Sequence, residues 1–219
     1  MMNMMFATMN HHLRRAAVCP PPSSVVRNGA NRSITVFRSF SASSSSSHVK
    51  ENGVDHFDIL GVERTYTVPI DELKSRYKQL MKELHPDRYA TAPKDVATQK
   101  AAMATNVTRA YSVIGDPLSR ALHLLDLHGS PIQESNDQSL VDHDLLLEVM
   151  EIREQIENVS TDDELKPILQ STVARRDELI CQLATAFREK RISDAKLLTA
   201  KLQYWTTIET TIVNKMTCP

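Results

Sequence analysis

The chain has 219 residues, 41% of them hydrophobic, which is sufficient for one or two folded domains. Residues 1–50 carry six of the 26 basic residues and no acidic residue, so the rest of the chain holds 20 basic and all 27 acidic residues, a net charge of −7. A body this acidic argues against general nucleic-acid binding, which depends on Lys and Arg neutralising phosphates. No run of about 18 apolar residues occurs, which excludes a membrane-spanning helix on length grounds.

The three cysteines, Cys19, Cys181 and Cys218, lie far apart in the chain. Because no C-x-x-C pair occurs, the sequence predicts neither a disulfide framework nor a zinc site. Cys181 falls in an apolar helical pattern, and we interpret it as a small buried hydrophobic residue in a reducing compartment.

Residues 1–47 are rich in Met, Arg and Ser, lack acidic residues, and contain a run of three prolines and a run of five serines. This composition is typical of an organellar transit peptide, and the alternative is a disordered tail without a function. The segment Arg38–Ser41 resembles the Arg-x-Phe-Ser pattern that the mitochondrial processing peptidase cuts. We therefore expect cleavage near Phe40 and a mitochondrial matrix location.

Two helices are predicted next. The first, over His56–Val62, ends at Gly61, and the second has Thr67 as its N-cap and Pro69 in its first turn. The apolar stripe of the second helix consists of Leu73, Tyr77, Leu80 and Leu84. Another face carries three lysines at intervals of four residues, with an arginine nearby: Lys74, Lys78, Lys82 and Arg76. Such lysines repel one another slightly, so this face is either simply solvated or a docking surface.

The helix must end at His85-Pro86-Asp87, because Pro86 lacks an N–H and disfavours helical geometry at the preceding residue. Taken alone, this tripeptide is only a helix stop and turn. A long helix is predicted after it, over residues 95–114, with an apolar stripe of Val96, Met103, Val107, Ala110 and Ile114. Two antiparallel helices joined by a His-Pro-Asp loop, with a short helix before them, resemble a J domain.

Residues 54–128 thus resemble the J domain of DnaK-type co-chaperones. The segment Arg109–Ala121 is similar to the A-Y-x-x-L-x-D-P-x-x-R-A ending of that domain, in which Gly115 ends one helix and Asp116 caps the next. The segment Leu122–Gly129 narrows the resemblance to HscB-like proteins, the J-type co-chaperones of iron–sulfur cluster biogenesis. His123 and His128 are five residues apart, the wrong spacing for two metal ligands on one helical face.

Residues 129–139 are predicted to be a linker, and residues 140–216 an antiparallel bundle of three helices near 140–158, 162–190 and 193–215. The Thr161-x-x-Glu164 pattern predicts a capping box for the second of these helices, and Pro167 predicts an irregular first turn or a later start. The apolar stripe of the third helix is Leu198, Leu202, Trp205 and Ile212. The predicted fold class is therefore all-α.

The first helix of this bundle carries two apolar stripes. The inner stripe consists of Leu145, Val149, Ile152 and Ile156, and the second stripe, roughly opposite and beside Glu151 and Glu154, consists of Leu146, Leu147 and Met150. A helix on the outside of a bundle needs only one buried stripe. The second stripe is then either a partner-binding surface or an extension of the core.

The segment Leu145–Glu154 is similar to the F-L-M-E-x-L-E-x-R-E segment of HscB-like proteins, in which the second stripe binds the scaffold for cluster assembly. Tyr204 matches the aromatic contact of that family, whereas Gln203 departs from the Arg of some members. Nothing in the sequence matches the cysteine-rich zinc module of other members. The resemblance implies these scaffold-binding residues: Leu146, Leu147, Met150, Glu151, Arg153, Glu154 and Tyr204.

The J-domain resemblance implies that the lysines, Arg76 and the loop dock on the nucleotide-binding domain and linker of a mitochondrial 70-kDa heat-shock chaperone. Asp87 would contact an arginine of that chaperone, Pro86 would fix the loop, and His85 would support it by hydrogen bonding. The expected function is delivery of the scaffold to this chaperone and stimulation of its ATPase, without an enzymatic activity, cofactor or metal of the chain's own. The alternatives are a general matrix J protein that delivers unfolded clients and a purely structural adaptor.

Overall fold

The structure, a computed structural model, describes residues 55–132 and 142–217. The predicted transit peptide with its cleavage site, most of the predicted linker, Cys19 and Cys218 lie outside these ranges. The described residues form seven α-helices and one 3₁₀ turn, without a strand, which confirms the all-α prediction. The helices are α1 (His56–Leu60), α2 (Ile70–Glu83), α3 (Lys94–Gly115), α4 (Pro117–Leu127), α5 (His143–Asn158), α6 (Asp162–Arg188) and α7 (Ile192–Thr217), and the 3₁₀ turn spans Pro86–Tyr89.

Local signals set the ends of α1 as predicted. The side chain of Asp55 accepts a hydrogen bond from the N–H of Phe57 at 2.9 Å, and Gly61 ends the helix in the left-handed conformation, at φ 65°. The prediction for the start of α2 is wrong: the N-cap is Pro69, and no side chain caps this helix. Thr67 lies two residues before the N-cap, in a local turn ahead of the helix where its N–H donates to the hydroxyl of Thr65 at 3.3 Å.

The apolar stripes of α2 and α3 meet in an antiparallel hairpin, in which Tyr77 stacks on Tyr111 with ring centroids 4.3 Å apart. The prediction for α3 holds only for its second half: Val107, Ala110 and Ile114 are buried, but Val96 and Met103 are 37% and 51% exposed. The reason is length. Since α3 has 22 residues and α2 only 14, the first turns of α3 extend past the end of their partner.

The junction between α3 and α4 follows the predicted capping pattern. The carboxylate of Asp116 accepts hydrogen bonds from the N–H and hydroxyl of Ser119, at 2.8 and 2.7 Å, and Pro117 occupies the first helical position. Leu124 and Leu125 of α4 are buried, and this helix packs on α7. All described residues consequently belong to one compact unit.

The three last helices form the bundle, with bounds within three residues of the prediction. Thr161 takes the N-cap position of α6 but makes no side-chain capping bond, so the predicted capping box does not form. Pro167 lies inside α6, which nevertheless begins at Asp162. Across the bundle, Arg176 of α6 donates to Glu209 of α7 at 2.5 Å, and both side chains are largely buried.

Two lysines of α7 fix its alignment with α5. Lys201 Nζ lies 3.1 Å from the carboxylate of Asp142, before α5, and Lys215 Nζ donates to the carbonyl of Ile156 at 2.5 Å, near its end. In each pair, the two residues are 59 positions apart in the chain. The helices α5 and α7 therefore run parallel, and a residue of α5 lies level with the residue 59 positions later in α7.

Cys181 is half-buried in α6. Its interpretation as a small hydrophobic residue of the interior stays a prediction.

Candidate protein-binding sites

The His-Pro-Asp loop presents a carboxylate to solvent on a fixed backbone. His85 is the N-cap of the 3₁₀ turn, and its Nδ1 accepts a hydrogen bond from the N–H of Asp87 at 3.3 Å, so in neutral His85 the proton is on Nε2. Pro86 occupies the first position of the turn, where its fixed φ suits the backbone. The side chain of Asp87 is 89% exposed and has no described ion-pair partner other than His85, at 3.4 Å. This arrangement suits a charged contact with a partner protein.

The residues after the loop attach it to the end of α2. The last carbonyls of a helix have no intrahelical partner. Arg88 Nη1 donates to the carbonyl of Lys82 at 3.5 Å, and the hydroxyl of Tyr89 donates to the carbonyl of Glu83 at 3.0 Å. Sequence reasoning did not assign a role to Tyr89. The sequence does contain a signal for this role: a side chain with a hydroxyl donor lies six residues after a helix end whose carbonyl has no intrahelical partner.

The basic residues of α2 do not all lie on one face. Lys78 and Lys82 are exposed and Lys74 is half-buried, and none of the three makes an ion pair with another residue of the described ranges. The three lysines lie on one face of the helix, here called the lysine face. Helical geometry places Arg76 about 160° around the helix axis from Lys74 and from Lys78. The helix thus places Arg76 on the other side of the buried stripe.

On α5, the two apolar stripes differ in burial. In the inner stripe, Leu145, Val149 and Ile156 are buried and Ile152 is half-buried. In the second stripe, Leu147 and Met150 are 46% and 65% exposed, while Leu146 is half-buried against the core. The second stripe therefore leaves an apolar surface beyond what the bundle needs.

The charged residues beside the second stripe make no ion pairs within the described part of the chain. Glu151, Arg153 and Glu154 are exposed, and none of them forms an ion pair or side-chain hydrogen bond with another described residue. By contrast, Glu148 of the same helix lies 3.5 Å from Arg175 of α6. The charges beside the second stripe are thus free to pair with a partner.

Tyr204 lies close to the second stripe although it belongs to α7. The parallel alignment of the two helices places Tyr204 level with Leu145. Since Glu148 reaches α6, the opposite flank of α5, which carries Leu146, faces α7. Tyr204 is half-buried against the core, and this alignment places it on the side of α5 that carries Leu146.

Two histidines of the J domain, His56 and His123, have a structural role. His123 Nε2 accepts a hydrogen bond from the N–H of His56 at 3.2 Å, and its ring stacks on Phe57. Burial, followed by the positive potential of His123 and Arg109, lowers the pKa of His56. These contacts join α1 to α4.

In the described ranges, no group of three or more His, Cys, Asp and Glu residues is arranged to hold a metal ion, and no helix has the length and apolar character needed to span a membrane.

A helical hairpin with an exposed His-Pro-Asp loop, packed on a three-helix bundle, defines a J-domain protein. Residues 55–123 match the DnaJ domain family, and residues 141–213 match the family described as HSCB C-terminal oligomerisation domain. A crystal structure of human co-chaperone protein HscB is 30% identical, with a TM-score of 0.71, and the match covers 77% of this chain and 85% of that one. The chain belongs to the HscB family of J-domain co-chaperones.

Two curated relatives cover both parts of the chain. The human iron–sulfur cluster co-chaperone protein HscB is 31% identical over 155 residues, which are 71% of this chain and 66% of the human protein. The Arabidopsis thaliana homologue of the same protein is 28% identical over 155 residues, 71% of this chain and 61% of the plant protein. The matched region thus spans slightly less than two thirds of the length of these relatives.

Proposed function

We propose that this protein stimulates the ATPase of a mitochondrial 70-kDa heat-shock chaperone of the DnaK type and delivers the scaffold of iron–sulfur cluster assembly to it. The observation that carries the proposal is the exposed carboxylate of Asp87, held by the loop at the end of an unpaired lysine face. The family of the chain and its similarity to the human and plant iron–sulfur cluster co-chaperones support the iron–sulfur part of the proposal.

At the chaperone, the lysine face supplies attraction and salt-sensitive affinity, with Arg76 as a peripheral contact. Asp87 forms a charge-assisted contact with an arginine and biases the chaperone toward its hydrolysis-competent state. Pro86 and His85 keep the backbone of the loop in place, so that little ordering is required when the partner binds.

The scaffold binds to the surface of α5 and α7. Leu147 and Met150 supply exposed apolar area, Leu146 and Tyr204 form its edge, and the charges of Glu151, Arg153 and Glu154 select the partner. Because both surfaces belong to one compact unit, binding of the scaffold raises its effective concentration at the chaperone. Hydrolysis then traps the scaffold and assists transfer of the cluster.

The proposed location is the mitochondrial matrix, on the evidence of the basic, acid-free composition of residues 1–50. The proposed organisation is a transit peptide over 1–47, a J domain over 54–128, a linker over 129–139 and a scaffold-binding domain over 140–216. The family matches over 55–123 and 141–213 support the two folded parts of this proposal.

Single-turnover ATP hydrolysis by a purified mitochondrial 70-kDa chaperone tests the first interaction. Asp87→Asn keeps the shape of the side chain and removes its charge, so we expect stimulation to fall at least about tenfold, the loss typical of a charge-assisted contact. Asp126→Asn, at an exposed carboxylate of α4, is the matched control and should behave as wild type. Unchanged stimulation by Asp87→Asn would refute the co-chaperone proposal and favour a structural adaptor.

Capture of the purified scaffold tests the second interaction. Leu147→Ala with Met150→Ala should weaken capture about tenfold or more, whereas Val213→Ala, at an exposed apolar residue of α7, should not. Glu151→Gln with Glu154→Gln distinguishes the rival function of general client delivery. A specific scaffold surface loses affinity with these charges, while nonspecific apolar binding to unfolded clients does not.

A further inference from the structure

The His-Pro-Asp loop begins and ends at the same place, the C-terminal end of α2. It begins there because the chain leaves the helix at Leu84. It returns there because the phenol of Tyr89 donates to the carbonyl of Glu83, 3.0 Å away. The three residues of the motif thus lie inside a small ring closed by one side-chain hydrogen bond.

Tyr89 also contacts the second helix of the hairpin. The ammonium group of Lys100, on α3, lies 5.4 Å from the centre of the Tyr89 ring, within the range of a cation–π interaction. Both side chains are half-buried. A single residue therefore connects the loop to α2 by its hydroxyl and to α3 by its ring.

The other contacts of the loop are weaker or purely local. The bond from Asp87 N–H to His85 is 3.3 Å long and spans two residues, and that from Arg88 to the carbonyl of Lys82 is 3.5 Å long. The carboxylate of Asp87 has no described partner outside the motif. Its direction therefore depends on the backbone, and Tyr89 makes the strongest side-chain contacts that tie this backbone to the two helices.

We propose that Tyr89 is the positioning residue of the His-Pro-Asp loop: its side chain clamps the loop between α2 and α3 and so keeps Asp87 oriented for the chaperone. This inference rests on the proposed function. The clamp raises the fraction of molecules whose loop is competent to bind. Loss of the clamp lowers this fraction, so the apparent affinity falls in the same proportion, while the rate at saturation stays unchanged.

The test is a titration of single-turnover ATP hydrolysis against the concentration of this protein. For Tyr89→Phe, which removes only the hydroxyl, we expect the half-maximal concentration to rise about two- to fivefold, the equivalent of one partly exposed hydrogen bond, with an unchanged plateau. Lys100→Met keeps the stem over the ring, removes the charge, and should act in the same direction. The matched control is Tyr77→Phe, because the hydroxyl of Tyr77 makes no hydrogen bond to a described residue.

Amide hydrogen exchange supplies a readout that a merely stabilising residue would not change. Exchange at Asp87 and Arg88 should accelerate in Tyr89→Phe, while exchange in the buried part of α3 stays at the wild-type rate. In an Asp87→Asn background, Tyr89→Phe should have no further effect on hydrolysis.

The results separate this inference from the function on which it rests. If wild type stimulates hydrolysis and Asp87→Asn does not, but Tyr89→Phe matches wild type, the positioning role is refuted and the function stands. A lower plateau, or an equal effect of Tyr77→Phe, also refutes the positioning role. If wild type itself fails to stimulate, the proposed function is refuted.

Discussion

The rings of Tyr66 and Phe187 stack with their centroids 5.3 Å apart and their planes 21° from parallel. Tyr66 lies between α1 and α2, and Phe187 lies in the last turn of α6, so this contact joins the J domain to the bundle. The carbonyl of Tyr66 also accepts a hydrogen bond from the buried guanidinium of Arg120 on α4, at 2.7 Å. The geometry that relates the two protein-binding surfaces therefore depends on this stack together with the packing of α4 against α7.

Phe187→Ala should loosen this junction. Because Phe187 is half-buried, we expect the free energy of unfolding to fall by about 2 kcal/mol, below the 3 to 5 kcal/mol typical of a fully buried Phe. Urea denaturation measures the loss, and small-angle X-ray scattering should report a larger radius of gyration. Leu147→Ala, which truncates an exposed side chain, is the control. An unchanged midpoint for Phe187→Ala would show that the stack does not hold the two parts together.

Tyr66→Phe should leave the protein as stable as wild type or stabilise it by about 1 kcal/mol. Tyr66 is 3% exposed, and its hydroxyl has no hydrogen-bond partner in the described structure, so the substitution removes an unsatisfied buried group. Most deletions of a buried tyrosine hydroxyl are destabilising. A clear loss of stability in thermal or urea denaturation would therefore mean that the hydroxyl has a partner in solution.

The same substitution should change the dependence of stability on pH. Burial raises the pKa of Tyr66 above its ordinary value of 10.0, so the folded state resists ionisation that the unfolded state undergoes freely. The stability that depends on this protonated phenol is complete below pH 10 and is lost as pH rises further. Above pH 10, the unfolding free energy of wild type should thus fall more steeply than that of Tyr66→Phe. Parallel curves would contradict the burial of this phenol.

Arg120→Lys should destabilise the protein although it keeps the charge. The guanidinium is 6% exposed, donates to the carbonyls of Ile114 and Tyr66 at 2.7 Å each, and lies over the Tyr66 ring. A single ammonium group cannot serve these acceptors together, so we expect a loss of about 2 to 3 kcal/mol in urea denaturation. Arg153→Lys, at an exposed position, is the control. Equal midpoints for the two variants would show that the forked geometry is unimportant.

The two sides of α2 should differ in their effect on chaperone stimulation. Lys78→Gln with Lys82→Gln should raise the half-maximal concentration and weaken its dependence on salt, because screened attraction is lost. Arg76→Gln, on the opposite side of the buried stripe, should have a smaller effect on both quantities. An effect of Arg76→Gln as large as that of the lysine pair would require a docking surface that surrounds the helix.

The failures of sequence reasoning have local physical reasons. Periodicity predicted that Val96 and Met103 would be buried, yet they are exposed because no helix accompanies the first turns of α3. Residue preference predicted that Thr67 would cap α2, but the helix begins after Pro69 and Thr67 lies in a local turn ahead of it. In each case the local pattern was read correctly, and a neighbouring element decided the outcome.

By itself, the sequence determined the helical class, the order and approximate ends of the helices, the His-Pro-Asp loop and the two stripes of α5, because caps, breakers and periodicity act within a few residues. Only the tertiary structure decided that Tyr204 lies level with Leu145, that Arg120 is buried beside Tyr66, and that Tyr89 closes the loop. These arrangements depend on the alignment of helices or on contacts across a turn. Such contacts arise from packing of the whole unit and have no period in the sequence.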